Sequence, residues 1–157
     1  MNLYIMRHGE AEQVASNDSQ RALTSRGVQE AYSAGQWLAS EQNNISLALV
    51  SPFTRTQQTY DSVIKAQTVQ KTLTLDLLRP DEQAEQVQDY IDGLLADDAN
   101  INSILLVSHM PLVCYLVESF TGEHGPLFAT ASIVEIDYDA KTHRGQLLKC
   151  FHVPTID

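Results

Sequence analysis

Basic residues are scarce in this 157-residue chain: ten lysines and arginines face twenty aspartates and glutamates, a formal charge of −10. Long-range repulsion from such a surface opposes nonspecific attraction to nucleic acid and to anionic membrane, so no nucleic-acid and no membrane partner is expected, and any phosphate must be met locally. Only six arginines are present, which gives Arg7, Arg21 and Arg55 more weight than they would carry in a basic protein. Cysteine is nearly absent too. Cys114 and Cys150 stand in apolar surroundings without CxxC spacing, which reads as buried free thiols rather than a disulfide or a zinc site. The apolar run at residues 2–6 is too short for a membrane span, the start has neither a basic n-region nor the apolar stretch of a secretion signal, and a soluble cytoplasmic protein is expected. Neither a Walker loop nor a GxGxxG occurs, so nucleotide binding has no direct support. No HxxxH or HExxH spacing occurs either, and a metal held by His8, His109 and His152 would sit beside arginines that repel it. No metal and no cofactor is expected.

A hydrophobic content of 43% supports a buried core, and the length suits one domain over residues 1–157. Residues 3–6 form a short apolar run that ends in Arg7-His8-Gly9, as a buried parallel strand feeding a loop would. Residues 10–23 are polar and aperiodic, a loop able to lie over that strand end. Thr24 then reads as a helix cap, with Val28, Ala31, Tyr32, Gly35, Leu38 and Ala39 at helical spacing behind it. Residues 47–50 form a second strand, stopped by Ser51-Pro52, with a helix from about Arg55 to Ile64. A weaker strand is expected at 72–75, a helix through Val87 to Leu95, a clear strand at 103–107 ending in Ser108-His109, and a helix from Pro111 to about Phe120. Ile133, Val134 and Ile136, then Leu147, Leu148, Phe151 and Val153, flank a polar turn and suggest a closing hairpin. Alternating strands and helices of this kind predict a three-layer α/β/α fold with a mainly parallel sheet, whose ligands bind at strand C-termini.

Three of those ends carry charge or a titratable group: Arg7-His8-Gly9, residues 51–55, and Ser108-His109. Arginine offers permanent charge and planar bidentate hydrogen bonding, which suits a dianionic phosphoryl group held from several sides by Arg7, Arg55 and His109. Neutral imidazole is a competent nucleophile, so His8 is the candidate to attack phosphorus and carry the group as phosphohistidine until water removes it. Gly9 lets the backbone pass close to the bound group and offers its N–H. Arg21, in the loop above, is either a fourth phosphate contact or a solvated loop residue. His124, His143 and His152 fall in turns or the terminal hairpin and read as surface residues.

Taken together, Arg7-His8-Gly9, Arg21-x-Leu23-Thr24-x-x-Gly27, Ser51-Pro52-x-x-Arg55-x-x-Gln58-Thr59 and Ser108-His109-x-Pro111-Leu112-Val113 resemble the histidine phosphatase superfamily, the phosphoglycerate mutase-like fold, over roughly residues 3–117. Their order and the short chain are most similar to its SixA-type phosphohistidine phosphatases. The resemblance implies His8 as the phosphorylated nucleophile and Arg7, Arg55 and His109 as the phosphate pocket. It implies as substrate a phosphorylated histidine-containing phosphotransfer domain or a related phosphorelay protein, met by a monomer through a shallow, open site. Two departures stand out. Met110 follows His109 where many members have glycine, and the proton-donating acid many members carry after the third strand has no clear counterpart. Asp81, Glu82 and Glu85 lie in that stretch but also read as a solvated helix start, and Glu10 and Asp18 are the alternatives from the N-terminal loop. A missing donor suits a phosphorus–nitrogen bond, because an imidazole that already carries a proton leaves without general acid help. The competing functions are a phosphomonoesterase or mutase for small phosphorylated metabolites and a silent phosphoprotein-binding module.

Overall fold

The chain runs β1 (Asn2–Arg7), α1 (Ser25–Glu41), β2 (Ile45–Val50), α2 (Thr54–Val63), β3 (Val69–Thr74), α3 (Ala84–Asp97), β4 (Ser103–Ser108), α4 (Leu112–Thr121), β5 (Ile133–Asp139) and β6 (Arg144–Phe151) in a computed structural model that describes residues 1–154. The six strands form one mixed sheet in the order β3-β2-β4-β1-β5-β6. The first four in that order pair in parallel, and the β5–β6 hairpin closes antiparallel on the free side of β1. Continuous apolar runs make the central strands because both faces are covered, and β4 is buried at every position. Successive residues of one strand feed opposite cores. Leu3 and Ile5 pack with Val87 and Ile91 of α3 and Leu116 and Phe120 of α4, while Tyr4 and Met6 pack with Ala31 and Leu38 of α1 and Tyr60 and Val63 of α2. Truncating a fully buried leucine or isoleucine in such a layer costs about 2–5 kcal/mol, so the strand ends sit on a stiff platform.

The three-layer α/β/α arrangement expected from the sequence is present, with differences of detail that have physical causes. The sheet-facing surface of α1 is Gly27, Glu30, Ala31, Ala34, Gly35 and Leu38, whereas Val28 and Tyr32, predicted to face the core, are exposed. Small residues let α1 approach α2 closely: a Cβ on Gly35 would meet the Val63 carbonyl oxygen at 2.8 Å. The third strand starts at Val69 rather than residue 72, because an edge strand with a single neighbour tolerates the polar Gln70, Lys71 and Thr72. Val153 lies beyond the hairpin, which ends at Phe151. Both cysteines are free, but neither is buried: Cys114 is half-buried and Cys150 is exposed on the edge strand. Thr24 caps α1 as predicted, its Oγ1 accepting the Gly27 N–H at 3.0 Å.

Candidate active site

Strand register brings the three predicted ends together. Arg7 is opposite Ser108 in the β1–β4 ladder and Val50 opposite Val107 in the β2–β4 ladder, so His8, His109 and Ser51 each stand one residue past the end of adjacent strands. Two further bonds prolong the ladders, from His8 N–H to the Ser108 carbonyl (3.0 Å) and from Ser51 N–H to the Val107 carbonyl (3.1 Å). Neighbouring strands lie about 4.8 Å apart. The His8 and His109 rings accordingly meet edge to face with centroids 5.3 Å apart. The His8 backbone is clamped from the other side, since its carbonyl accepts the Ala131 N–H at 3.0 Å.

The tautomer of His8 follows from its one partner. Nδ1 lies 2.7 Å from the Gly9 carbonyl oxygen, which can only accept, so Nδ1 carries the hydrogen and Nε2 keeps its lone pair. Burial, opposed by that hydrogen bond and reinforced by the charges of Arg55, Arg7 and Arg21, pushes the His8 pKa from the ordinary 6.5 down to about 4. Burial, then His8 and Arg55, pushes His109 down to about 2. Both imidazoles are therefore neutral at physiological pH, the state a nucleophile requires. A sign follows for stability. The unfolded imidazoles take up protons below about pH 6.5 and the folded ones do not, so the folded state loses stability as pH falls from there towards the folded values. Ring-proton NMR should show His8 titrating near pH 4, and denaturant midpoints should drop between about pH 7 and pH 5; a His8 midpoint near the ordinary value would remove this account.

Arginine geometry completes the pocket. Arg7 donates from one terminal nitrogen to the Phe128 carbonyl at 2.9 Å. Arg55, whose side chain is 4% exposed, donates to the Asp18 carbonyl at 2.7 Å and to its carboxylate at 3.1 Å. Its guanidinium also lies over the Phe53 ring at 5.0 Å. Buried polar atoms normally find partners. Five buried side-chain nitrogen or oxygen atoms among the described residues do not, and three of them are Nε of Arg7, Nε of Arg55 and Nδ1 of His109. Three of the five unpartnered atoms thus fall on the residues that the sequence assigned to a phosphate pocket.

Other expectations change. The Gly9 N–H, expected to face the bound group, instead donates to Thr59 Oγ1 at 3.0 Å. What requires glycine there is close approach, since a Cβ on Gly9 would meet the Gly27 carbonyl oxygen at 2.5 Å. Arg21 is neither a free solvated residue nor an unencumbered ligand: its Nε pairs with Asp18 Oδ1 at 2.9 Å and a terminal nitrogen donates to the Glu12 carbonyl at 3.1 Å. One carboxylate thus bridges Arg21 and Arg55. Burial pushes the Asp18 pKa up, but hydrogen bonds from Arg55 and Arg21 outweigh it and hold Asp18 below the ordinary carboxylate value. Such an anion is unsuited to donate a proton. His8 is 7% and His109 1% exposed, and the loop of residues 10–23 is held at its base by Gln58, whose Oε1 accepts the Leu23 N–H at 2.8 Å.

None of the other carboxyl candidates reaches an imidazole either. Glu10 accepts from Thr24 Oγ1, Glu82 pairs with Arg79 at 2.6 Å, and Asp81 and Glu85 are exposed. Glu82, Glu85 and Glu118 line a separate hollow of about 620 Å³ between the start of α3 and the C-terminal half of α4, whose acidic wall repels phosphate. His124, His143 and His152 are exposed, as predicted, and His152 also bonds Ser132 Oγ at 2.7 Å. Sequence reasoning missed Ser51, whose Oγ lies 2.8 Å from His109 Nε2, and Phe53, whose ring meets His109 edge-on at 5.1 Å. For Phe53 the available signal was its position beside Arg55 in the same strand-end segment, and for Ser51 its place in the pattern that ends at Thr59.

The sequence profile of the histidine phosphatase superfamily (branch 1) matches residues 3–79. A phosphohistidine phosphatase SixA homolog from Haemophilus influenzae is 36% identical over 148 residues, spanning 88% of this chain and 89% of that protein. Phosphohistidine phosphatase SixA from Escherichia coli K12 is 36% identical over 141 residues, spanning 88% and 86%. The solved structure of the protein histidine phosphatase SixA complexed with tungstate superposes with a TM-score of 0.89 at 34% identity, covering 96% of each chain. With identity sustained along most of its length and the fold shared throughout, the chain belongs to the histidine phosphatase superfamily, among its SixA-like members.

Proposed function

We propose that this chain is a protein phosphohistidine phosphatase that works through a phosphohistidine intermediate on His8. The neutral imidazole, with Nδ1–H fixed on the Gly9 carbonyl, presents the Nε2 lone pair to phosphorus. As the new bond to Nε2 forms, the phosphorus–nitrogen bond of the substrate breaks and its electron pair returns to the substrate imidazole. That ring leaves neutral when its other nitrogen carries a proton. Water then attacks phosphorus, the electron pair returns to Nε2, and the water protons stay with phosphate and solvent. The transferring group is metaphosphate-like with charge on its equatorial oxygens, so fixed donors on Arg7, Arg55 and His109 supply most of the stabilisation.

The observation that carries the choice of substrate is the neighbourhood of the two imidazoles. Among the described residues the His8 ring hydrogen-bonds only the Gly9 carbonyl and the His109 ring only Ser51, and no carboxyl group is hydrogen-bonded to either ring. An alkoxide leaving from an ester needs a proton that this site does not offer, while a protonated phosphoimidazole does not. The partner is a phosphorylated histidine-containing phosphotransfer domain or a related phosphorelay protein, met in the cytoplasm by a monomer. Phosphate release from a phosphorylated histidine phosphotransfer domain is expected to outpace release from phosphoserine and phosphotyrosine peptides and from small phosphorylated metabolites. Faster ester hydrolysis would instead make the chain a phosphomonoesterase, and binding without turnover a phosphoprotein-binding module.

A further inference from the structure

We propose that Ser51 is a positioning residue for phosphoryl transfer: by donating its hydroxyl hydrogen to Nε2 of His109, it holds that imidazole in the Nδ1–H tautomer and presents the N–H to the phosphoryl group.

The assignment comes from counting donors and acceptors around one hydroxyl. Ser51 Oγ has two neighbours within hydrogen-bond distance among the described residues, His109 Nε2 at 2.8 Å and the Phe53 backbone N at 3.5 Å. The Phe53 N–H can only donate, so the hydroxyl hydrogen has one acceptor available, the lone pair of Nε2. Were Nε2 protonated instead, the Ser51 hydroxyl would receive two donors and its own hydrogen would be buried without an acceptor, at a cost of about 1–3 kcal/mol. Burial and the nearby cations keep His109 neutral, so it carries a single ring hydrogen, and with Nε2 accepting from Ser51 that hydrogen is on Nδ1. Nδ1 of His109 is one of the three unmet buried nitrogens on the proposed phosphate ligands, and its ring stands 5.3 Å from that of the nucleophile. As an N–H it donates to a phosphoryl oxygen; as a bare lone pair it would repel one. Strand order makes the contact possible, since Ser51 and His109 leave adjacent strands although 58 residues apart in sequence. The Phe53 ring packs against that of His109 at 69°, centroids 5.1 Å apart.

This rests on the phosphatase reading, but its first test does not depend on activity. Long-range nitrogen–proton NMR of uniformly labelled protein should show His109 as the Nδ1–H tautomer in the wild type. Observation of Nε2–H would overturn the proposal whatever the enzyme hydrolyses. In Ser51→Ala the His109 signals should move towards the Nε2–H form, and kcat on a phosphorylated histidine domain should fall about 10- to 100-fold with KM changed less than about threefold, because the donor acts on the transition state. Ser51→Thr, which keeps the hydroxyl, should restore both readouts. An unchanged kcat in Ser51→Ala, or a loss that Ser51→Thr does not repair while the tautomer is retained, would overturn the positioning role.

Discussion

Replacing His8 with asparagine is expected to abolish phosphoenzyme formation and to lower turnover of a phosphorylated histidine domain by at least about 10⁴-fold, the scale on which removing a covalent nucleophile acts. Asparagine is the informative choice because its side-chain N–H can still donate to the Gly9 carbonyl that now receives Nδ1, so the loop after β1 keeps its bond while losing the Nε2 lone pair. The wild type incubated with a labelled domain should give an acid-labile, base-stable label on His8, and the variant should give none while still binding the domain. Label persisting in His8→Asn, or turnover within about tenfold of wild type, would place the nucleophile elsewhere. His8→Ala serves as the companion variant, and a matching loss in both separates chemistry from packing, since His8 is 7% exposed and truncation leaves a small cavity.

Much of this site was legible because buried parallel strands advertise themselves. The runs at residues 3–6, 47–50 and 104–107 are apolar throughout, and each stops abruptly at a charged or hydroxyl residue, Arg7, Ser51 or Ser108. Reading those stops as one sheet edge placed His8, Arg55 and His109 together, and the register of β1, β4 and β2 is what joins them. What could not be read was the second ring of contacts. Asp18 to Arg55 spans 37 residues, Gly9 to Thr59 spans 50 and Ser51 to His109 spans 58. No periodicity encodes such pairs, because they depend on which strands become neighbours and how far a loop folds back. Asp18 shows the consequence. In sequence it is one acid in a polar loop, interchangeable with Glu10, and only the folded chain turns it into a counter-ion for two arginines. Exposed Val28 and Tyr32 show the reverse error, in which helical spacing alone cannot tell a stripe of small residues suited to close helix packing from a stripe of large ones beside it.

Arg55→Lys is expected to lower kcat on the phosphorylated histidine domain about 10²- to 10³-fold, equivalent to about 2.7–4 kcal/mol of transition-state stabilisation. Charge is conserved in this variant, so the loss isolates geometry. A guanidinium presents several N–H groups in a plane, and Arg55 uses two terminal nitrogens on Asp18 while its Nε remains buried without a partner. An ammonium on a flexible stem cannot hold the loop and meet an equatorial oxygen at once. Asp18→Asn provides the opposite arm. Its carboxylate is the anion resting on Arg55 and Arg21, and a phosphoryl group competes with it for the same donors. Neutralising it should strengthen binding of inorganic phosphate or tungstate by a few-fold, a modest effect because the Asp18 side chain is 60% exposed and surface ion pairs contribute about 1 kcal/mol or less. Isothermal titration with tungstate and steady-state kinetics on both variants decide the matter. If Arg55→Lys keeps kcat within tenfold, Arg55 is a loop anchor and not a phosphate ligand. If Asp18→Asn weakens oxyanion binding instead, Asp18 orders the guanidiniums for the incoming group, and its carboxylate belongs to the productive site as a brace for Arg55 rather than a competitor to be displaced.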